Sequence, residues 1–132
     1  VTVISMSSVS ANPPVLLGCV NRNNLAYEAI IKNQCFSVNT LAEDQHHIAQ
    51  VFAGQIKVEN NDRFSCTEWT TLETDSPVIT DALASFDCTL EHHSNFGTHA
   101  IIVGKVKTVA FQDEGLPLAY AQQQFRKLIE HS

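Results

Sequence analysis

Hydrophobic and polar residues follow one another along this chain in short blocks. The apolar run Val15-Leu16-Leu17-Gly18-Cys19-Val20 follows Pro13-Pro14 and predicts a buried strand. The polar break Asn21-Arg22-Asn23-Asn24 can cap a helix, because an asparagine side chain accepts from the free amides of a first turn. Leu25, Tyr27, Ala29, Ile30 and Ile31 give that helix one apolar side, ending near Asn33. In Cys35-Phe36-Ser37-Val38-Asn39-Thr40-Leu41, Phe36 and Val38 alternate with Ser37 and Asn39, the pattern of a half-buried strand. A second helix is expected over Glu43 to Ala53, with Glu43-Asp44 suiting its dipole. Its Ile48, Val51 and Phe52 should face inward, and Gly54 supplies a left-handed stop.

Residues 55 to 80 are polar and irregular, carry Asp62-Arg63-Phe64, Trp69 and Pro77, and read as a long surface excursion. Ser85 to Glu91 alternates so that Phe86, Cys88 and Leu90 face a core. A turn at Ser94-Asn95-Phe96-Gly97 joins it to a strand over residues 98 to 111, in which Gly104 predicts a bulge or a close backbone approach. The tail, Leu118 to Ser132, reads as a final strand followed by a helix, or as a draped arm. Strands separated by two short helices, with adjacent long strands at the end, favour a small antiparallel barrel over a doubly wound sheet. The fold class is therefore mainly β with short helices.

At 132 residues the chain fits one domain, 1–132. Its formal charge of −6, from 8 Lys+Arg against 14 Asp+Glu, argues against a nucleic-acid partner, which needs clustered cations. No run reaches the roughly 18 apolar residues of a membrane span and no signal peptide is visible, so a cytoplasmic protein without a membrane partner is expected. Cys19, Cys35, Cys66 and Cys88 are far apart in or near apolar stretches and read as buried reduced thiols. His46-His47 and His92-His93 are sequence neighbours that point in different directions, so no metal site is assigned. Neither a Gly-x-Ser-x-Gly elbow nor a Gly-x-Gly-x-x-Gly fingerprint occurs.

Two stretches remain as candidate chemistry. Gly97-Thr98-His99 holds an imidazole at the mouth of a strand beside a glycine that permits close approach. Ser5-Met6-Ser7-Ser8-Val9-Ser10, with the Asn21-Arg22-Asn23-Asn24 turn, supplies hydroxyls, amides, one arginine and a helix start, the makings of a phosphate-sized site. The plain alternative is a serine-rich strand beside a capped helix.

The order of the segments resembles the short-chain flavin reductase family, split-barrel flavoproteins that serve as reductase components of two-component aromatic monooxygenases, such as 4-hydroxyphenylacetate 3-monooxygenase. The resemblance is carried by Val1-Thr2-Val3-Ile4, Ser8-Val9-Ser10-Ala11-Asn12-Pro13-Pro14, Cys19-Val20-Asn21-Arg22 and Phe36-Ser37-Val38-Asn39-Thr40-Leu41. It continues through Asp44-Gln45, Phe52-Ala53-Gly54, Asp62-Arg63-Phe64, Ala82 to Cys88, Gly97-Thr98-His99 and Pro117-Leu118. It implies a six-stranded antiparallel split β-barrel, a homodimer that binds FMN or FAD. It also implies hydride transfer from NADH or NADPH to the flavin, and delivery of reduced flavin to an oxygenase component. By that resemblance Met6, Ser7, Ser8 and Val9 lie along the isoalloxazine, and Cys19, Val20, Asn21 and Asn24 run towards the phosphate. Ala53, Gly54 and Phe64 complete the flavin pocket. His99 is the histidine beside the nicotinamide, the assigned catalytic residue, orienting a carboxamide or a phosphate oxygen. Gln123, Phe125 and Arg126 belong to a tail segment bordering the same cleft. The alternatives are a non-catalytic flavin-binding split-barrel module and a pyridoxamine-phosphate type oxidase, the latter disfavoured by the few basic residues.

Three departures from the family pattern stand out. Thr98 replaces a common aspartate, and Phe125 replaces an aromatic that carries a hydroxyl. Between Ile4 and Ser5 the family has a glycine-rich turn and a Met-Thr-Ala-Ser-like run that touches the flavin; here both are missing, as is an N-terminal helix. The junction is read as joining ordered pieces across an absent segment, whereas a true deletion would remove one hairpin and part of the flavin pocket.

Overall fold

Two strands of 13 residues each dominate the chain: in the first, Phe86, Cys88 and Leu90 alternate with polar residues, and the second is rich in β-branched residues. The computed structural model describes residues 1–3 and 5–129; the Ile4–Ser5 junction and residues 130–132 lie outside the described residues. In chain order the elements are β1 (Met6–Ala11), β2 (Pro14–Asn21), α1 (Leu25–Asn33), β3 (Cys35–Thr40) and α2 (His46–Phe52). They continue with β4 (Trp69–Thr70), β5 (Val78–Ile79), β6 (Ala84–Phe96), β7 (His99–Phe111), β8 (Ala119–Ala121) and β9 (Gln124–Arg126).

The main sheet has five strands in the order β1-β2-β7-β6-β3, antiparallel in every pair. Among the described residues the main sheet lacks the expected sixth strand and does not close into a barrel: β1 and β3 are its edges, and the chain between β3 and β6 forms α2, two 3₁₀ turns and the separate β4-β5 ribbon. Val20, Phe36, Cys88 and Ile102 form the core beneath this sheet, and Leu16, Tyr27, Ile30, Val38, Phe86, Leu90 and Val106 pack against them. Both expected core parities, Phe36 with Val38 and Phe86 with Cys88 and Leu90, are therefore met.

Gly104 performs the close approach anticipated for it, but the visitor is a side chain. A Cβ at this position would stand 2.7 Å from Phe36 Cε1 and 2.9 Å from Cys88 Cβ, so the missing methyl is the seat of the Phe36 ring. The ladder shifts register beside it, between Leu90 and His92, where β6 carries one extra residue. The β6–β7 connection is tighter than the sequence suggested: Phe96 pairs with His99, leaving a two-residue turn, Gly97-Thr98, with Gly97 at φ 57°.

The second helix begins later than expected. Ala42 bridges to Pro117, Glu43 N–H donates to the Leu116 carbonyl at 2.9 Å, and the Gln45 side chain accepts from Ala42 N–H at 2.8 Å. Ala42 and Glu43 are thus used in holding the tail, and helical backbone starts only at His46. Gly54, at φ 79°, ends it as anticipated. The tail is neither strand-plus-helix nor draped arm: β8 and β9 form a hairpin through Gln122 and Gln123, at φ 53° and 63°. All four cysteines are free thiols, and no helix among the described residues is long and apolar enough to cross a membrane.

Candidate functional site

The expected surface excursion turns back over the sheet, and its return forms one wall of a cleft. Ser37 and Asn39 on β3 present a polar face that sequence alternation would leave in water. Instead the Ser37 hydroxyl donates to the Pro77 carbonyl, and Asn39 Oδ1 accepts from Ile79 N–H at 2.9 Å and from the Ser85 hydroxyl at 2.8 Å. Asp87, fully buried on β6, completes the attachment. Its carboxylate accepts from Glu73 N–H at 2.9 Å, Thr74 N–H at 2.6 Å and the Thr74 hydroxyl at 2.5 Å. Burial, and secondarily the Asp87 charge, pushes the neighbouring Cys88 thiol up to about 12.

The cleft has a volume of about 1480 Å³, beyond the roughly 300–1,000 Å³ of a pocket for one drug-sized ligand. Val20, Phe36 and Ile102 contribute from the sheet, Ala26, Ala29 and Ile30 from α1, and Ile48, Ala49 and Phe52 from α2. Residues 61–64, residues 73–77, Leu118–Tyr120 and Phe125 are also among the lining. Phe52 and Phe64 meet edge to face at 4.9 Å, and Trp69 leans on Phe64 from outside at 5.5 Å. Across the tail hairpin Tyr120 meets Phe125 at 5.1 Å.

Of the residues expected to form a site, Met6, Val20, Asn24, Phe64 and Phe125 line this cleft together. Met6 is seated over Gly18, where a Cβ would stand 2.9 Å from Met6 Cε. Asn24 is the N-cap of α1, its Oδ1 accepting from Ala26 N–H at 3.0 Å, which leaves its amide NH₂ as the free donor. The other expected residues are not among the cleft lining. Ser7, Ser8 and Val9 are exposed on the edge strand β1, and Cys19 alternates to the sheet face opposite Val20. Asn21 is exposed, its Oδ1 accepting from Asn23 N–H at 2.9 Å. Ala53 and Gly54 are exposed at the end of α2, and Gln123 and Arg126 are exposed in the tail hairpin, where Arg126 Nη2 donates to Gln122 Oε1 at 3.1 Å.

His99 is exposed at the first position of β7, laddered with Asn21 on one side and Phe96 on the other. Its Nδ1 lies 2.9 Å from the Thr98 hydroxyl, which steadies the ring where the departure from aspartate was noted. Beside it Arg22, Asn23, Tyr27, Gly97 and Thr98 line a smaller groove of about 350 Å³, and Asn23 belongs to both depressions. Arg22 binds the hairpin turn through its N–H to the Thr98 carbonyl at 2.9 Å and Nη1 to the Gly97 carbonyl at 3.1 Å. Sequence reasoning missed Asn39, Asp87 and the wall from Glu73 to Pro77, since their contacts join residues far apart in the chain. It also passed over Arg63 and Tyr120, whose signals were local: one precedes Phe64, the other faces Phe125 across a two-residue turn. Among the described residues no group of three or more His, Cys, Asp or Glu is placed to hold a metal ion.

Comparison with known proteins places the chain in a family. Residues 1–128 match the Flavin reductase like domain family. The FMN reductase (NADH) RutF of Pantoea ananatis is 38% identical over 128 residues, which are 97% of this chain and 66% of that protein. The chain thus spans 66% of that relative's length. The structure superposes on the NADH:FAD oxidoreductase SgcE6 of Streptomyces globisporus C-1027 with a TM-score of 0.86 and 26% identity, covering 96% of this chain and 75% of that one. It superposes on BorF, the flavin reductase component of a bacterial two-component tryptophan halogenase, with a TM-score of 0.84 and 32% identity, covering 96% and 80%. This chain belongs to the flavin reductase like domain family.

Proposed function

We propose that the chain is an NAD(P)H:flavin oxidoreductase, moving hydride from a reduced nicotinamide nucleotide to FMN or FAD and handing reduced flavin to an oxygenase component. The observation that carries this reading is the cleft, in a chain of this family: apolar and aromatic side chains from the sheet, both helices and Phe64, bordered by amides, hydroxyls and a few charged groups. The name of the Pantoea ananatis relative favours FMN and NADH as the pair, and the description of BorF favours a two-component partner.

The lining fits a flavin in kind. Val20, Ile102 and Phe64 offer apolar contact to a planar ring system, and the Asn24 amide and the Thr40 hydroxyl are polar groups at its borders. When bound, flavin accepts hydride from the reduced nicotinamide, a transfer that needs the two rings in near contact and little acid-base help. The protein's part is therefore alignment and exclusion of water. Met6 and Phe125 border the cleft, and His99, from the adjoining hairpin, orients the nicotinamide nucleotide. Ser8, Val9, Asn21, Ala53, Gly54, Gln123 and Arg126 stay in the proposal as rim contacts, whereas Ser7 and Cys19 lie on the opposite face of the sheet, away from the cleft. A homodimer is part of it too, supported by the outer sheet face, where Cys19 pairs with Ile101 and Leu17 with Val103, all four only half-buried.

The purified protein should oxidise NADH only when FMN or FAD is present. His99→Ala should raise the nicotinamide KM or slow hydride transfer while leaving flavin affinity unchanged. Absence of flavin-dependent turnover with NADH and NADPH would sink the enzymatic reading, and tight flavin binding without turnover would identify a flavin-binding module instead.

A further inference from the structure

Arg63 is the one lysine or arginine among the described residues that line the cleft, in a chain of formal charge −6. Its guanidinium is half-buried and fixed from one side: Nη1 donates to the Phe52 carbonyl, at the end of α2, at 2.9 Å. Nη2 touches the turn that follows, 3.5 Å from where a Cβ on Gly54 would stand. A guanidinium has five N–H donors in a planar fork, and among the described residues Arg63 spends one of them and pairs with no carboxylate. Asp62, next in the chain, is exposed and makes no hydrogen bond to it. A half-buried cation without an anion is costly to keep, and a planar fork with free donors suits phosphate oxygens taken two at a time.

We infer that Arg63 is an anion-recognition residue of the cleft, meeting a phosphate group of the nucleotide bound there. The inference rests on the flavin reductase reading and adds to it the group that selects a phosphorylated ligand over its neutral parent. The other charged side chains of the lining are acids, Asp62, Glu73 and Asp75, so Arg63 is the one cation there that a phosphate could meet. The phosphate has two sources, the monoester of FMN or the pyrophosphate of the nicotinamide nucleotide, and the same measurements separate them.

Affinities for FMN and riboflavin, and KM for NADH at saturating flavin, should be compared in the wild type, Arg63→Gln and Arg63→Lys. If Arg63 meets the flavin phosphate, Arg63→Gln weakens FMN by about tenfold or more and leaves riboflavin unchanged, as expected for a lost charged hydrogen bond. Arg63→Lys then recovers part of the loss. If it meets the nicotinamide nucleotide, KM for NADH rises by a similar factor with FMN affinity unchanged. Equal weakening of FMN and riboflavin would reduce Arg63 to a brace for α2 and overturn the inference, as would no change in any of the three quantities. Should the wild type neither bind flavin nor oxidise NADH, the functional reading fails by itself. Inorganic pyrophosphate then decides on Arg63: a thermal shift in the wild type that Arg63→Gln loses supports it, and no shift overturns it.

Discussion

At the scale of single residues, Cys88 and Asp87 show how one strand serves two faces. Alternation over residues 85 to 91 placed Cys88 correctly, because a small apolar side chain in register with Phe86 and Leu90 has one place to go. The same alternation would put Asp87 in water, yet it is fully buried. What buries it is the return of residues 73 and 74, whose donors lie 13 and 14 positions upstream and leave no periodic trace. The pair makes stability depend on alkaline pH. The folded Cys88 thiol keeps its proton up to about 12, whereas the unfolded thiol releases it near its ordinary value of 9.0. The unfolded chain therefore binds fewer protons between these values. Stability from this group is complete below pH 9.0 and falls as pH rises towards 12, at a limiting slope of about 1.4 kcal/mol per pH unit. Urea midpoints measured from neutral to alkaline pH should decline less steeply in Cys88→Ala than in the wild type. Parallel declines would remove Cys88 as their cause.

At the scale of elements, the sequence was informative wherever an element is held by its own residues. Helix α1 is the clear case: Asn24 caps it, Glu28 and Lys32 sit at the ends that the dipole favours, and it ends at Asn33 as expected, with Gln34 as its C-cap. Helix α2 was misjudged at its start because Ala42 and Glu43 answer to the tail, a partner more than 70 positions away that no local pattern reveals. Gly104 lies between these cases. Its presence in an apolar strand announced a close approach, but only the pairing of β3 with β6, and of β6 with β7, brings Phe36 over it. Gly104→Ala should therefore cost about 1–3 kcal/mol, the usual penalty of overfilling a packed core. Trimming the ring in Phe36→Leu/Gly104→Ala should restore part of the loss. Additive effects of the two substitutions in urea unfolding would mean that ring and glycine are not in contact.

At the scale of the whole molecule, the cleft was legible only through the collinear resemblance. Five of the expected site residues line it, Met6, Val20, Asn24, Phe64 and Phe125, and they come from five separate segments of the chain. No spacing rule gathers residues so dispersed. The opposite face of the sheet raises a different question, that of what covers it. Leu17, Cys19, Ile101 and Val103 form a compact apolar stripe across β2 and β7, flanked on β1 by Ser7 and on β6 by His92 and Ser94. Half-buried apolar side chains in a contiguous patch, with a polar rim, match the make-up of an interface between subunits. Val103 is the sharpest probe, since its neighbour Ile102 points into the core and Val103 points away from it. Val103→Glu should leave the far-ultraviolet circular dichroism and the thermal transition of the protomer close to wild type. In sedimentation the wild type should run as a dimer and Val103→Glu as a monomer, because a carboxylate in the middle of the stripe would be desolvated without a partner on association. A wild type that sediments as a monomer at micromolar concentration would end the homodimer proposal, and a variant that stays dimeric would move the interface to another face.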